Sequence, residues 1–340
     1  MATAKILNKS KKDKNDEFYT LYDDIAAELP LYREQLRGKR IICPCDWDES
    51  FIEALVYKEV GYVPPYRLVS LGGTIKEIDI EQSKEKIERD LTTVKCNFIR
   101  FLVAHAETYG IKSISVSGYN PATDEGVRFQ DIDYSNYDVV ITNPPFSQFR
   151  EFIDTMFAAN IKFLIVGPTN ALTYLETFKH IQNNEMWIGY AKQFKGFVLA
   201  DGTTVLSKNP EGSVPRACKW YTNLEVSYRH DKLILTEKYD EEVYPKYCNY
   251  DAIHIVSSNK IPYDYDGYMS VPITFLQKYN PEQFEIIGNS GALAGEPPKD
   301  IPKSLKGGPR FYLKTEEGYK RIFDRLVIRN KEVYHDEDEY

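Results

Sequence analysis

The sequence predicts an α/β protein, a mostly parallel sheet flanked by helices, joined to an additional irregular α+β region. Three observations carry this expectation. Short unbroken runs of Val, Ile and Leu mark strands buried on both faces. Amphipathic stretches alternate with those runs through about residue 185. Beyond that point the texture changes, and from about residue 230 the chain is rich in Tyr, Pro, Asp and Asn.

Taken in order, FYTLYDDIAAELPLYREQL sets Leu21, Ile25 and Leu29 at helical spacing and predicts a helix after Asp16. KRIICPCD reads as a buried strand, ESFIEALVYKEV as a helix with Phe51, Leu55 and Val56 on one face, and YRLVSL as a second strand. The stretch IEQSKEKIERDLTTVKCNFIRFLVAHAETYG is helical in character and offers Gly110 as its C-cap. KSISVSG, GVRFQDI and YDVVIT follow as strands. SQFREFIDTMFAAN then predicts a helix with Ser147 as N-cap and Phe149, Phe152, Ile153, Met156 and Phe157 on one face. IKFLIVGP is another buried strand and LTYLETFKHIQNN another helix. MWIGY, KGFVLADGTTVLSK and KWYTNLEVSYR read as strands and hairpins.

Composition limits the class. With 340 residues, 42% of them hydrophobic and 14% aromatic, the chain fills one large or two modest cores. No apolar run approaches the ~20 residues of a membrane span, and the start MATAKILNKSKKDKND has no apolar leader, so a cytoplasmic protein is expected. Five scattered cysteines argue against a disulfide framework. CPC at 43–45 reads as small buried strand residues, and no metal site is expected. The net charge of −8, taken alone, argues against a nucleic-acid binder. Charge is nevertheless local: lysines crowd residues 1–15, and acids crowd a tail at 331–340.

One stretch carries chemistry. VVIT delivers Asn143-Pro144-Pro145-Phe146 to the carboxyl end of a buried strand, where open α/β sheets hold their ligands. Neither proline has an N–H, and each restrains the residue before it. The turn is therefore stiff, extended and rich in acceptors, namely the Asn143 side-chain oxygen and the Pro144 carbonyl, with Phe146 as a flat apolar surface. An exocyclic amino group on a planar ring fits this arrangement, since each of its N–H bonds meets one oxygen. Methylating such a nitrogen builds positive charge, which fixed oxygens stabilise, and they hold the lone pair in line.

Asn143–Phe146 resembles motif IV of amino-methyltransferases. With NDEFYT (15–20), VVITNPPFSQF, YPKYCNYDAI (244–253) and VPITFLQKYNPEQFE (271–285), the chain resembles the EcoRI-type adenine-specific (N6) DNA methyltransferases from near residue 9 to about 287. The resemblance implies a class I SAM-dependent methyltransferase fold (a Rossmann-like sheet) that moves a methyl group from S-adenosyl-L-methionine to a flipped-out adenine in double-stranded DNA, as in restriction–modification. It gives Asn143 and Pro144 the N6 hydrogens, Pro145 the turn and Phe146 the base stack. Asp16, Phe18, Tyr19 and Thr20 fall on a cofactor segment. Cys45, Asp46 and Asp48 lie in the first cofactor loop, where CPCDWDES replaces the usual glycine-rich run. Asp131 lies where an acid contacts the cofactor's adenine, with Asp133 as rival.

DNA contacts are assigned to Lys11, Lys12 and Lys14, and to Arg216, Lys219 and Arg229 in the changed-texture half. The domains expected are a basic segment 1–15, a catalytic core 16–230, a DNA-recognition region 231–330 and the acidic tail 331–340, in a monomer acting on nucleoid DNA. The same turn also serves a methyltransferase of RNA adenine or protein glutamine. A catalytically silent DNA-binding protein on the same scaffold is the alternative from another class.

Overall fold

The computed structural model describes residues 18–46, 57–59, 75–89, 96–120, 125–199, 203–206 and 218–334. Lys11, Lys12, Lys14, Asp16, Asp48, Arg216, the strand expected at 66–71 and residues 335–340 of the acidic tail lie outside these residues. Among the described residues no helix is long and apolar enough to cross a membrane.

The chain divides into two compact units, Met1–Ala171 with Ile188–Glu225, and Leu172–Trp187 with Val226–Tyr340. In chain order the first part carries β1 (Phe18–Thr20), α1 (Tyr22–Glu28), α2 (Arg33–Leu36), β2 (Arg40–Cys43), β3 (Tyr57–Glu59), β4 (Lys76–Ile78), α3 (Ile80–Arg89), α4 (Asn97–Tyr109) and β5 (Ser113–Val116). Then come β6 (Tyr119–Asn120), β7 (Glu125–Gly126), β8 (Val139–Thr142), α5 (Phe149–Ala158), β9 (Lys162–Pro168) and α6 (Leu175–Gln182). After these follow β10 (Trp187–Ile188), β11 (Gly196–Leu199), β12 (Thr204–Leu206) and β13 (Cys218–Thr222).

An eight-stranded sheet in the order β10-β13-β9-β8-β2-β5-β4-β3 forms the frame. Its four central strands, β9, β8, β2 and β5, run parallel. β13 joins β9 antiparallel, and β4 and β3 close the other side antiparallel. Ile41, Ile42, Val140, Ile141, Leu164 and Ile165 are fully buried, as unbroken aliphatic runs require when both faces of a sheet are covered. β1 pairs with β11 and β11 with β12 in a small antiparallel sheet.

Local readings give way where long-range partners intervene. Phe18–Thr20 is a strand rather than the start of a helix, because β11 supplies its ladder. The helix expected over 18–36 breaks into α1, a 3-10 turn at Leu29–Tyr32 and α2. Pro30 has no N–H to continue the α-helical bonding. Tyr57–Glu59, expected to end a helix, is an edge strand whose Tyr57 pairs with Ile78. GVRFQDI is not a strand beyond Gly126; Phe129–Asp131 is a 3-10 turn. Phe129 anchors that turn by packing against the Phe152 ring at 4.9 Å. Gly110 caps α4 in the left-handed region at φ 64°, whereas Ser147 is not the cap of α5. Phe146–Gln148 is a 3-10 turn, Gln148 is the N-cap, and no side-chain cap bond forms. KWYTNLEVSYR yields a strand only over its first half and ends in a 3-10 turn at Ser227–His230.

Two buried carboxylates of α1 organise the chain around residue 190. Glu28 accepts the backbone N–H groups of Tyr190 and Ala191 at 2.8 and 2.6 Å and the Tyr32 hydroxyl at 2.7 Å. Asp24 accepts the Lys195 N–H at 2.9 Å. Burial pushes both acids above their ordinary range, opposed by these hydrogen bonds.

Besides α6, the second unit carries β14 (Ile253–His254), β15 (Met269–Pro272), β16 (Phe284–Asn289), α7 (Ser290–Leu293), β17 (Tyr312–Thr315), β18 (Gly318–Arg321) and β19 (Arg325–Asn330). Its sheet runs β14-β15-β19-β16, and β17 with β18 forms a separate hairpin. Arg325 is buried and donates to the carbonyls of Ile255 and Ser270.

Candidate active site

The buried strand β8 ends at Thr142, and the next four residues turn outward by degrees. Pro144 is buried, Asn143, Pro145 and Phe146 are half-buried, and Ser147 is exposed. Pro145 is extended at φ −55° and ψ 125°, and its carbonyl accepts the Gln148 N–H at 3.0 Å. The stiff turn expected from two prolines is therefore present, and it presents Phe146 at the surface of the first unit. The Asn143 side-chain oxygen is shielded from solvent, which sharpens any electrostatic interaction it makes.

Thr142 connects this turn to the neighbouring strand. Its hydroxyl donates to Asp46 Oδ2 at 2.5 Å, and the Cys96 thiol donates to Asp46 Oδ1 at 3.2 Å. The Asp46 N–H in turn donates to the Ser117 carbonyl at 3.1 Å. Asp46 is only 5% exposed. Burial lifts its carboxyl to about 7, against the opposing effect of the Thr142 and Cys96 bonds. One residue on from Cys96, the Asn97 side-chain amide donates to the Thr20 carbonyl at 2.9 Å, while Arg100 donates to Asn97 Oδ1 at 2.8 Å.

These bonds make one continuous edge. Thr20 ends β1, Cys96 and Asn97 open α4, Asp46 follows β2, Ser117 follows β5, and Asn143 follows β8. Buried hydroxyls mark the same edge. Thr20 Oγ1, Ser117 Oγ and Thr169 Oγ1 have no hydrogen-bond partner among the described residues. A buried hydroxyl left unsatisfied costs free energy, and these three lie at or just past strand ends.

Other sequence-chosen residues fall as follows. Tyr19 and Cys45 are half-buried beside this edge, and Phe18 opens β1. Asp131 is exposed on the turn before β8. Its rival Asp133 is committed to the next turn, accepting the Ser135 N–H and hydroxyl at 3.1 and 2.7 Å, and these bonds lower its pKa. Lys219 donates from half-burial to the Lys192 carbonyl at 2.7 Å. Arg229, in the second unit, is 6% exposed, lies 3.8 Å over the Trp187 ring and donates to Asn184 at 2.9 Å. That is a packing position with little surface for a phosphate. Thr142, Cys96, Asn97, Ser117 and Thr169 were not singled out from the sequence. The nearest signal was positional, since Thr142 precedes the turn and Cys96-Asn97 opens an amphipathic helix.

Among the described residues no cluster of His, Cys, Asp and Glu is arranged to hold a metal. The family model described as adenine-specific methyltransferase EcoRI matches residues 6–331. The chain is 38% identical to type II methyltransferase M.EcoRI of Escherichia coli over 299 residues, covering 84% of this chain and 89% of that protein. It is 28% identical to type II methyltransferase M.MpnI of Mycoplasma pneumoniae, with 96% and 98% covered. It is 30% identical to type II methyltransferase M.MgeORF184P of Mycoplasma genitalium, with 96% and 99% covered. No solved structure matches.

Proposed function

The chain belongs to the adenine-specific methyltransferase EcoRI family, a family of DNA-modifying enzymes, and from that premise we propose how its residues methylate adenine N6. The observation that carries the reading is the Asn143–Phe146 turn, which leaves a buried parallel strand at an edge crowded with buried hydroxyls. The fold reading is a class I methyltransferase. The order β10-β13-β9-β8-β2-β5, with β13 antiparallel beside β9, supports it.

Adenine N6 within a duplex does not reach a strand-end turn, so the base leaves the stack, at a cost of a few kcal/mol. Phe146 receives the ring face. Asn143 Oδ1 and the Pro144 carbonyl each accept one N6 hydrogen and orient the nitrogen lone pair. S-adenosyl-L-methionine, when bound, supplies a methyl group activated by its sulfonium. As nitrogen takes the methyl it becomes positive, and both oxygens stabilise that charge. The alkylated nitrogen is acidic and loses its proton without a strong base. Phe18, Tyr19, Thr20, Cys45, Ser117, Thr169 and Asp131 are assigned to the cofactor, together with Asp16 and Asp48 outside the described residues. Asp46 acts through its carboxyl, holding Thr142 and hence the root of the turn. The second unit is assigned to DNA recognition, in a monomer acting in the cytoplasm.

Methyl transfer to duplex DNA, RNA and peptide, with the modified atom mapped, tests this reading. Duplex adenine N6 is the expected product, and transfer confined to RNA or peptide would refute it. Asn143→Ala is expected to lower turnover about 10²–10³-fold, with cofactor affinity by calorimetry nearly unchanged.

A further inference from the structure

Phe323 is 90% exposed, yet it does not sit on a loose loop. Its neighbour Ile322 is buried in a cluster with Tyr247, Phe311, Leu313 and Val327. On the other side, Asp324 pairs with Arg310 at 3.1 Å. The ring is therefore held out in water by neighbours anchored on both flanks. A single exposed apolar side chain is ordinary by itself; what distinguishes Phe323 is that it stands beside a basic segment.

The surroundings say which partner. Residues 299–321 carry seven lysines and arginines against three carboxylates, in a chain of net charge −8. Register puts Tyr312, Lys314, Tyr319 and Arg321 on one face of the β17–β18 hairpin. The preceding segment lies across that face. Tyr319 donates to Asp300 at 3.0 Å, Tyr312 to the Leu305 carbonyl at 3.1 Å, and Arg321 to the Gly307 carbonyl. Lys303, Lys306 and Lys314 are exposed on or beside this layer and form no ion pair among the described residues.

We propose that the 299–323 region of the second unit contacts duplex DNA, with Lys303, Lys306 and Lys314 holding phosphates and Phe323 serving as an apolar wedge against the base stack. The inference rests on the duplex reading above and adds the surface that grips the duplex. The two components leave different physical signatures. A lysine bound to a phosphate releases counterions and steepens the dependence of affinity on salt. A ring set against bases releases none.

The experiment is equilibrium binding of a fluorescent duplex, one that the wild type methylates, across a salt series. Replacing Lys303, Lys306 and Lys314 together by Ala is expected to weaken binding and to shallow the log–log salt slope by about 0.9 for each phosphate no longer neutralised. Phe323→Ala is expected to weaken binding about tenfold with the slope unchanged, and Phe323→Leu to recover part of it. Cofactor affinity stays at the wild-type value in all variants. Wild-type affinity and slope in the lysine and Phe323 variants, beside a wild type that still methylates duplex, would overturn the surface alone. A wild type that ignores duplex DNA would overturn the reading and the surface together.

Discussion

Asp46 shows how one side chain's direction changes its role. At the end of β2 it reads as a cofactor-loop acid, yet its two oxygens are engaged inward by Thr142 and Cys96. The consequence for pH follows from burial, which holds this carboxyl near 7 against an ordinary 3.8. Between those values the folded protein keeps a proton that the unfolded chain has lost. Stability from this group is thus fully present below the ordinary value and falls as pH rises towards 7. Cys43, Cys45 and Cys96 are its ionisable neighbours, and the thiols of Cys43 and Cys96 are themselves pushed up by burial. Asp24 and Glu28 carry the same sign, so only a comparison isolates Asp46. In urea unfolding at pH 5 and pH 8, Asp46→Asn is expected to lose part of the wild type's drop in stability, on the order of a few kcal/mol. An equal drop in both proteins would contradict the protonated Asp46.

Elements were legible where the chain's own pattern decides their type. Val139–Thr142 and Lys162–Pro168 are strands because Val, Ile and Leu runs of this length fill a covered sheet. They were not legible where a partner supplies the hydrogen bonds, as at Tyr57–Glu59. Packing between elements also sets constraints that no local pattern shows. A Cβ at Gly167 on β9 would meet the Phe149 ring at 2.2 Å, at the first residue of α5. Gly167→Ala is therefore expected to destabilise by about 1–3 kcal/mol through overpacking, read by chemical denaturation. Because α5 follows the Asn143–Phe146 turn closely, turnover should fall as well. A variant with unchanged midpoint and activity would show that Phe149 moves aside freely.

For the whole molecule, the proposed reading requires base extrusion, and that makes affinity depend on how firmly the target adenine is paired. A mismatch opposite that adenine performs part of the unpairing beforehand. Binding to the mismatched duplex is expected to be tighter than to the matched one at the same salt, and weaker binding would count against extrusion. The stiffness of the turn and its place at a strand end were written in the sequence, because two prolines restrain the backbone wherever a strand ends. So was the alternation of strand and helix, since periodicity reports which faces are covered. Only the tertiary structure decided that Asp46 turns towards residues 50 and 96 positions away, that β13 returns to the central sheet, and that Phe323 stands out in solvent. Side-chain direction is set by neighbours distant in the chain, and a local pattern carries no record of them.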